Sequence, residues 1–278
     1  VPHSITQLKQ LEYLYLHKTR VSGSIPADIG QMKQLKQLYL SSTQMSGTLP
    51  DSLGALVSLD HLMLDTTKFE GPVPDISNLT QLVVLSLHDT LVTGGVPHIN
   101  GNFKNLYLAR NRLTGAIPDS MCGLTGYMEV DLSGNRLSAL PNCSMKVRRF
   151  IAQSNRISIV PPAFWEGQGI EVQYLDLSNN SLTFASVQGI GENFGDLYTL
   201  KLSHNPLGCS VGDLFDMLVK VEDISDFSCS NCSISGSIEK AFTSLAFDRL
   251  FFVQLDLSSN PQLYGALNIG SDDNPFSG

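Results

Sequence analysis

His61, Asp65 and His88 fall where successive stretches of similar sequence end, and several serines lie close by. An imidazole can take a proton from a hydroxyl, and a carboxylate can orient the imidazole, so such a set invites a hydrolase or metal reading. The stretches that carry these residues read as strands on one open face. Such a face has no walls to exclude water and no built-in oxyanion hole, so it argues against catalysis. Cys229-x-x-Cys232 has the spacing of a redox or zinc pair, yet both cysteines stand at core positions of the pattern described below. The run Gly189-Ile-Gly191-Glu-Asn-Phe-Gly195 only approximates a dinucleotide loop, and it follows a strand without opening a βαβ unit. Neither a phosphate-cradling G-x-x-x-x-G-K-[ST] nor an H-E-x-x-H occurs. The expectation is a protein without catalytic residues, cofactor or metal.

Composition narrows the partners. The 278 residues are 42% hydrophobic and 16% charged, with a formal net charge of −8. Such a chain buries a large core and is not disordered. A nucleic-acid partner needs a basic surface, which this balance does not supply. No apolar run approaches the length of a membrane-spanning helix, so no membrane insertion is expected within the chain.

What positions these residues is a repeat. Leu11-x-x-Leu14-x-Leu16 is followed by Thr19, Val21, Gly23, Ile25 and Pro26, and the same series recurs from Leu35 and again from Leu59. Further units open at Leu82, Phe103, Tyr127, Val147, Val172, Leu197, Ile224 and Phe252. The alternating L-x-L core reads as a short strand with one buried face. One such turn cannot bury its apolar side alone, and stacking turns pairs each strand with the next around a continuous core. The eighth residue after each opening should sit buried at the strand's end. It is Thr19, Thr43, Thr67 and Thr90, then Asn111, Asn135, Asn155, Asn180 and Asn205, then Cys232 and Asn260. An amide there can donate to and accept from backbone groups freed by the turn, a hydroxyl can do part of this, and Cys232 should bring a local irregularity.

The pattern resembles the leucine-rich-repeat superfamily, and more narrowly its plant-type subclass, with the Gly-x-x-Pro half strong at Gly23–Pro26, Gly47–Pro50, Gly71–Pro74 and Gly115–Pro118. The four threonines depart from that subclass's consensus. The resemblance implies a leucine-rich-repeat solenoid of about eleven repeats, an α/β repeat with short parallel strands on a concave face and short helical or irregular convex segments. It also implies an extracellular setting, since members include receptor ectodomains, co-receptors, enzyme inhibitors and wall or matrix proteins. Residues 1–278 read as a single domain, regular over 1–120 and irregular over 121–278, where Phe164 and Trp165 should cover convex core. Val1-Pro2 reads as the tail of an earlier repeat and Leu267-Asn268-Ile269 as an unfinished one. The expectation is a segment of a longer protein, or ends covered by neighbouring chains.

Two kinds of modification are expected. Cys122 and Cys143 occupy similar positions on consecutive turns, within disulfide reach. Cys209 with Cys232 is a second candidate pair. Sequons occur at Asn78, Asn142, Asn179 and Asn231, and a secreted or cell-surface location would let them carry glycan.

The strand face should point Tyr13, Tyr15, Tyr39, His61, Met63, Ser86 and Tyr107 outward in the early units, and Asp131, Asp176 and Thr199 later. One position beyond the strands come His17, Ser41, Asp65 and His88. Rings and a methionine on a face that water would otherwise wet are the types enriched at binding hot spots. The partner-binding set is therefore Tyr13, Tyr15, His17, Tyr39, His61, Met63, Asp65, His88 and Tyr107. The same aromatics also suit cross-strand stacking for stability. The next exposed column holds Arg20, Lys68, Arg112, Arg136 and Arg156, a basic edge that reads as a solvated rim. Function reads as a recognition scaffold for a protein or peptide, or for a glycan. Alternatives are a structural subunit of an extracellular filament, matrix or wall, and an inhibitor of a secreted enzyme.

Overall fold

The computed structural model describes residues 3–99, 103–123, 129–144, 146–166, 172–190, 194–221, 223–242 and 252–265. Val1, Pro2, the Tyr127 opening, Leu267-Asn268-Ile269 and parts of the inserts around 167–169 and 191–193 lie outside the described residues.

Each L-x-L core forms a three-residue strand, and these strands stack in parallel in chain order, from Tyr13–Tyr15 to Gln254–Asp256, into one eleven-stranded sheet. At roughly 4.8 Å per strand the sheet is about 50 Å long. Register is set by the apolar column: Leu14, Leu38, Leu62, Leu85 and Leu106 are successive partners, continued by Val130 and Phe150. From Leu38 to Phe227 this column is buried. Phe164 and Trp165 are buried in the short helix Pro162–Trp165, with ring centroids 4.8 Å apart.

The residue before each ladder position must reverse the chain, and it does so in the left-handed region. Lys18, Ser42, Thr66, Asp89, Arg110, Gly134, Ser154, Asn179, His204, Asn231 and Ser259 have φ between 52° and 65°. Each costs backbone energy in a non-glycine residue, and a cross-turn hydrogen bond offsets it. Ser42 N–H donates to Asp65 O, and Asn179 N–H to Ser203 O, both within 2.9 Å. Beside Cys232 a second left-handed residue, Ser233, follows at φ 57°, the irregularity expected there.

The ladder binds in two ways. Asn135 Nδ2 donates to Leu108 O of the preceding turn and to Leu132 O and Ser133 O of its own, while its Oδ1 accepts from Leu113 N–H. Thr43 and Thr67 donate only to Leu40 O and Leu64 O of their own turns. In that stretch cross-turn bonding comes from a second, four-stranded sheet of Ser22–Gly23, Gln44–Thr48, Lys68–Pro72 and Leu91–Thr93. The Gly-x-x-Pro half makes it possible: Gly71 has φ +78°, and a Cβ there would stand 3.0 Å from Thr48 Cγ2. The later turns carry helices instead, among them Phe184–Val187 and Val211–Leu218.

Cys122 and Cys143 are joined, with Cα atoms 5.9 Å apart. The Cys209–Cys232 pair does not form. Cys232 is joined instead to Cys229, three positions earlier on the same turn, and Cys209 is a buried free thiol. The reason is that Cys229 already holds Cys232: the two turns do meet here, with Gly208 N–H donating to Cys232 O and Ser235 N–H to Cys209 O, yet Cys209 keeps its thiol.

Candidate functional site

The first strands bring most of the aromatic set together. Tyr15 and Tyr39 are register partners with ring centroids 4.8 Å apart. Tyr13 lies 6.3 Å from Tyr15, His17 6.1 Å from Tyr39, and His61 6.3 Å from Tyr39. Tyr13 and Tyr15 remain half exposed, at 49% and 50%. Tyr15 donates its hydroxyl to Gln37 Oε1 at 2.5 Å, and Lys36 sits 5.9 Å over the Tyr13 ring while paired to Glu12 at 2.8 Å. A shallow pocket of about 190 Å³ opens where the strands end, walled by His17, Lys18, Tyr39, Met63 and Asp65. Four of the expected partner-binding residues thus line one depression.

Tyr107 stands apart. Ser86 is its register partner on one side and Met63's on the other, so a short side chain stands between two long ones. Ser86 was expected to face water, but it is 1% exposed and its hydroxyl has no hydrogen-bond partner among the described residues. Neighbouring long side chains close over a short one on a concave surface. Asp176 and Thr199, also expected outward, are buried at 4% and 6%.

The His61–Asp65–His88 set does not assemble. His61 Nδ1 binds Asp60, its chain neighbour. Asp65 accepts the Ser41 hydroxyl at 2.6 Å and faces His88 Nε2 at 3.5 Å. His88 Nδ1 meets Asp89 at 3.0 Å, and Asp89 forms a two-pronged pair with Arg110. The Arg110 guanidinium holds the Asp89 carboxyl down at about 2. Ser41 therefore hydrogen-bonds the Asp65 carboxylate and not an imidazole. Among the described residues no group of three His, Cys, Asp or Glu side chains could hold a metal.

The later face differs in what its side chains do. Asp131, Asp176 and Asp256 stand in the same column as Tyr15 and Tyr39, and each accepts a backbone N–H two residues on, from Ser133, Ser178 and Ser258 at 2.9–3.0 Å. These carboxylates close Asx turns. A second cluster was not singled out from sequence. Tyr107 donates to Glu129 at 3.0 Å, Glu129 pairs with Arg149 at 3.1 Å, and Arg149 lies 3.7 Å over the Tyr174 ring, with Lys201 at 5.2 Å. Burial, and then the Glu129 carboxylate, push the Tyr107 phenol up to about 12. The signal was in the column Glu129, Arg149, Tyr174, whose residues share one register position on successive strands.

The four sequon asparagines are exposed. Asn179 Nδ2 donates to Ser154 Oγ, and Asn231 Nδ2 lies 3.2 Å from His204 Nδ1. None stands in the strand columns that carry the aromatic set.

A family model described as a leucine-rich repeat region matches residues 1–261. Lumican from Gallus gallus is 29% identical over 178 residues, 62% of this chain and 51% of lumican, so the chain spans about half the length of that relative. A plant ice-binding protein superposes with a TM-score of 0.64 at 26% identity, over 92% of this chain and 84% of that one. The structure of PEPR1-AtPEP1 superposes with a TM-score of 0.67 at 19% identity, over 95% of this chain and 47% of that one, a likeness of fold.

Proposed function

Because this chain belongs to the leucine-rich-repeat family, we propose that it is a non-catalytic, extracellular recognition scaffold whose protein or peptide partner docks on the concave face around Tyr13, Tyr15, Tyr39 and Met63. One observation carries this reading. Where three of the six later turns use the second strand column to cap their own backbone, with Asp131, Asp176 and Asp256, the early turns give it to Tyr15, Tyr39 and Met63, large side chains that cap no backbone N–H among the described residues. A covered tyrosine buries about 150–250 Å², or roughly 4–6 kcal/mol gross at 25 cal/mol/Å². Ordering and desolvation reduce that, and two or three anchors still make a specific interface. Glycans on Asn78, Asn142, Asn179 and Asn231 would leave this face open. No helix among the described residues is long and apolar enough to cross a membrane.

The test is selection of ligands from a displayed peptide library on the wild-type chain, followed by affinity measurement on the Tyr15→Ser/Tyr39→Ser variant. Selected ligands lose at least tenfold in affinity while Tm stays within about 2 °C, as for surface substitutions. Ligands that bind the variant equally well, or a variant that unfolds early, would make the stripe structural.

A further inference from the structure

Three consecutive turns repeat one local sequence just past the ladder: Asn111-Arg112-Leu113-Thr114, Asn135-Arg136-Leu137-Ser138 and Asn155-Arg156-Ile157-Ser158. Leu113, Leu137 and Ile157 are fully buried. Alternation along an extended chain then turns the arginine before each, and the hydroxyl after it, to the opposite side. All three arginines are exposed. Arg136 N–H donates to Leu113 O and Arg156 N–H to Leu137 O, so each arginine follows the last by one turn. The chain is staggered here, with Arg136 beside Thr114. A strand spacing with up to a two-residue stagger sets consecutive arginines about 5–8 Å apart.

That row is electrostatically unbalanced. Like charges this close repel within one Debye length, about 8 Å at physiological salt. Among the described residues no carboxylate lies within ion-pair distance of Arg112, Arg136 or Arg156, whereas Arg110 and Arg149 on the neighbouring surface are both paired. Lys68 extends the same edge toward the N-terminus. The chain as a whole carries −8, so a wide polyanion laid across the molecule would meet acidic surface beyond the row. A thin, single chain following the edge would not.

We propose that this edge binds a linear polysaccharide bearing carboxylates, a polyuronate. The guanidinium fork matches a carboxylate two-pronged. Ser138 and Ser158 stand beside the arginines as hydroxyl partners for sugar hydroxyls, and Thr114, whose hydroxyl donates to Gly94 O, can still accept from one. A charge on each sugar, or on alternate sugars, repeats on the scale of one or two solenoid steps. This surface is separate from the aromatic stripe, and the proposal does not rest on it.

The test measures binding of polygalacturonate at 0.15 M salt, with neutral dextran, dextran sulfate and duplex DNA in parallel. Wild type binds polygalacturonate and not dextran. The triple variant Arg112→Gln/Arg136→Gln/Arg156→Gln weakens that binding about tenfold or more, with unchanged Tm. Arg136→Lys, which keeps charge and loses the fork, falls between. Tyr15→Ser/Tyr39→Ser binds polygalacturonate as wild type does, which separates this surface from the stripe. Undiminished binding by the triple variant, no binding by wild type, or tighter binding to dextran sulfate or DNA than to polygalacturonate would overturn the proposal.

Discussion

The Thr90 hydroxyl donates to Asn111 Oδ1 at 2.6 Å, and this contact joins two differently built stretches of one buried ladder. Below it each threonine ties only its own turn, and above it each asparagine ties two. Asn135→Ala removes three donated bonds and leaves Leu113 N–H buried without its acceptor. The expected loss is about 2–4 kcal/mol. Thr43→Ala removes the donated bond to Leu40 O and the long 3.4 Å bond accepted from Met45 N–H, for about 1–2 kcal/mol. Urea denaturation of both variants checks the order, and a Thr43→Ala cost equal to that of Asn135→Ala would contradict it.

The cysteines give a count. With Cys122 joined to Cys143 and Cys229 to Cys232, Cys209 is left as a free, buried thiol. Burial pushes that thiol up to about 11. At pH 8 the folded protein resists iodoacetamide, and in denaturant without reductant it takes up one equivalent, on Cys209. The sign of the linkage follows. The unfolded thiol ionises first, so stability is lost as pH rises from about 9 toward 11. Mass spectrometry finding three or five modified cysteines would refute the pairing.

The core was legible because leucine spacing and a two-residue period leave one choice of buried face, as Leu35, Leu38 and Leu40 show with at most 1% exposure. The ladder was legible for the same reason, as a polar residue at a fixed offset, except that Thr19, expected buried, is exposed on the first turn, where no strand precedes Tyr13–Tyr15 in the sheet. Side-chain partners were less so. His61 pairs with Asp60 because a chain neighbour is closer than anything on the next strand. Ser86 is covered because Met63 and Tyr107 flank it, and Asp176 is buried while its carboxylate turns back to Ser178 N–H. A period places a residue on a face, but the lengths of its neighbours decide whether water reaches it. The Cys209 pairing failed because Cys232 has a partner on its own turn, Cys229, which repeat spacing alone does not reveal.

Asp89 should titrate near the acid limit of the fold. Arg110 holds its carboxyl at about 2, with the His88 hydrogen bond assisting against the opposing effect of burial. A depressed carboxyl stabilises the fold above its unfolded pKa, and the contribution fades as pH falls from about 4 toward 2. The pair is partly exposed, with Arg110 at 65% and Asp89 at 35% side-chain exposure, so screening limits it to under about 1 kcal/mol. In Arg110→Ala the Asp89 midpoint, read by carboxyl-carbon NMR, rises toward the ordinary 3.8. A midpoint unmoved by that substitution would show that Arg110 is not the cause.

Ser86 separates a packing role from a binding role. Its hydroxyl is buried between Met63 and Tyr107 with no hydrogen-bond partner among the described residues. An unpaired buried hydroxyl costs stability, so Ser86→Ala should leave Tm unchanged or raise stability by up to about 1 kcal/mol. If the hydroxyl only filled space, ligand affinity would not change either. Ser86 lies beneath the concave face between Met63 and Tyr107, where a docked side chain that displaces the Met63 thioether would reach the Ser86 oxygen. Ligands selected on the wild-type chain should then lose about fivefold in affinity on Ser86→Ala, the worth of one neutral hydrogen bond. Calorimetric titration beside thermal denaturation reads both quantities. Lower Tm with unchanged affinity would assign Ser86 to the fold and move the ligand's path away from Ser86.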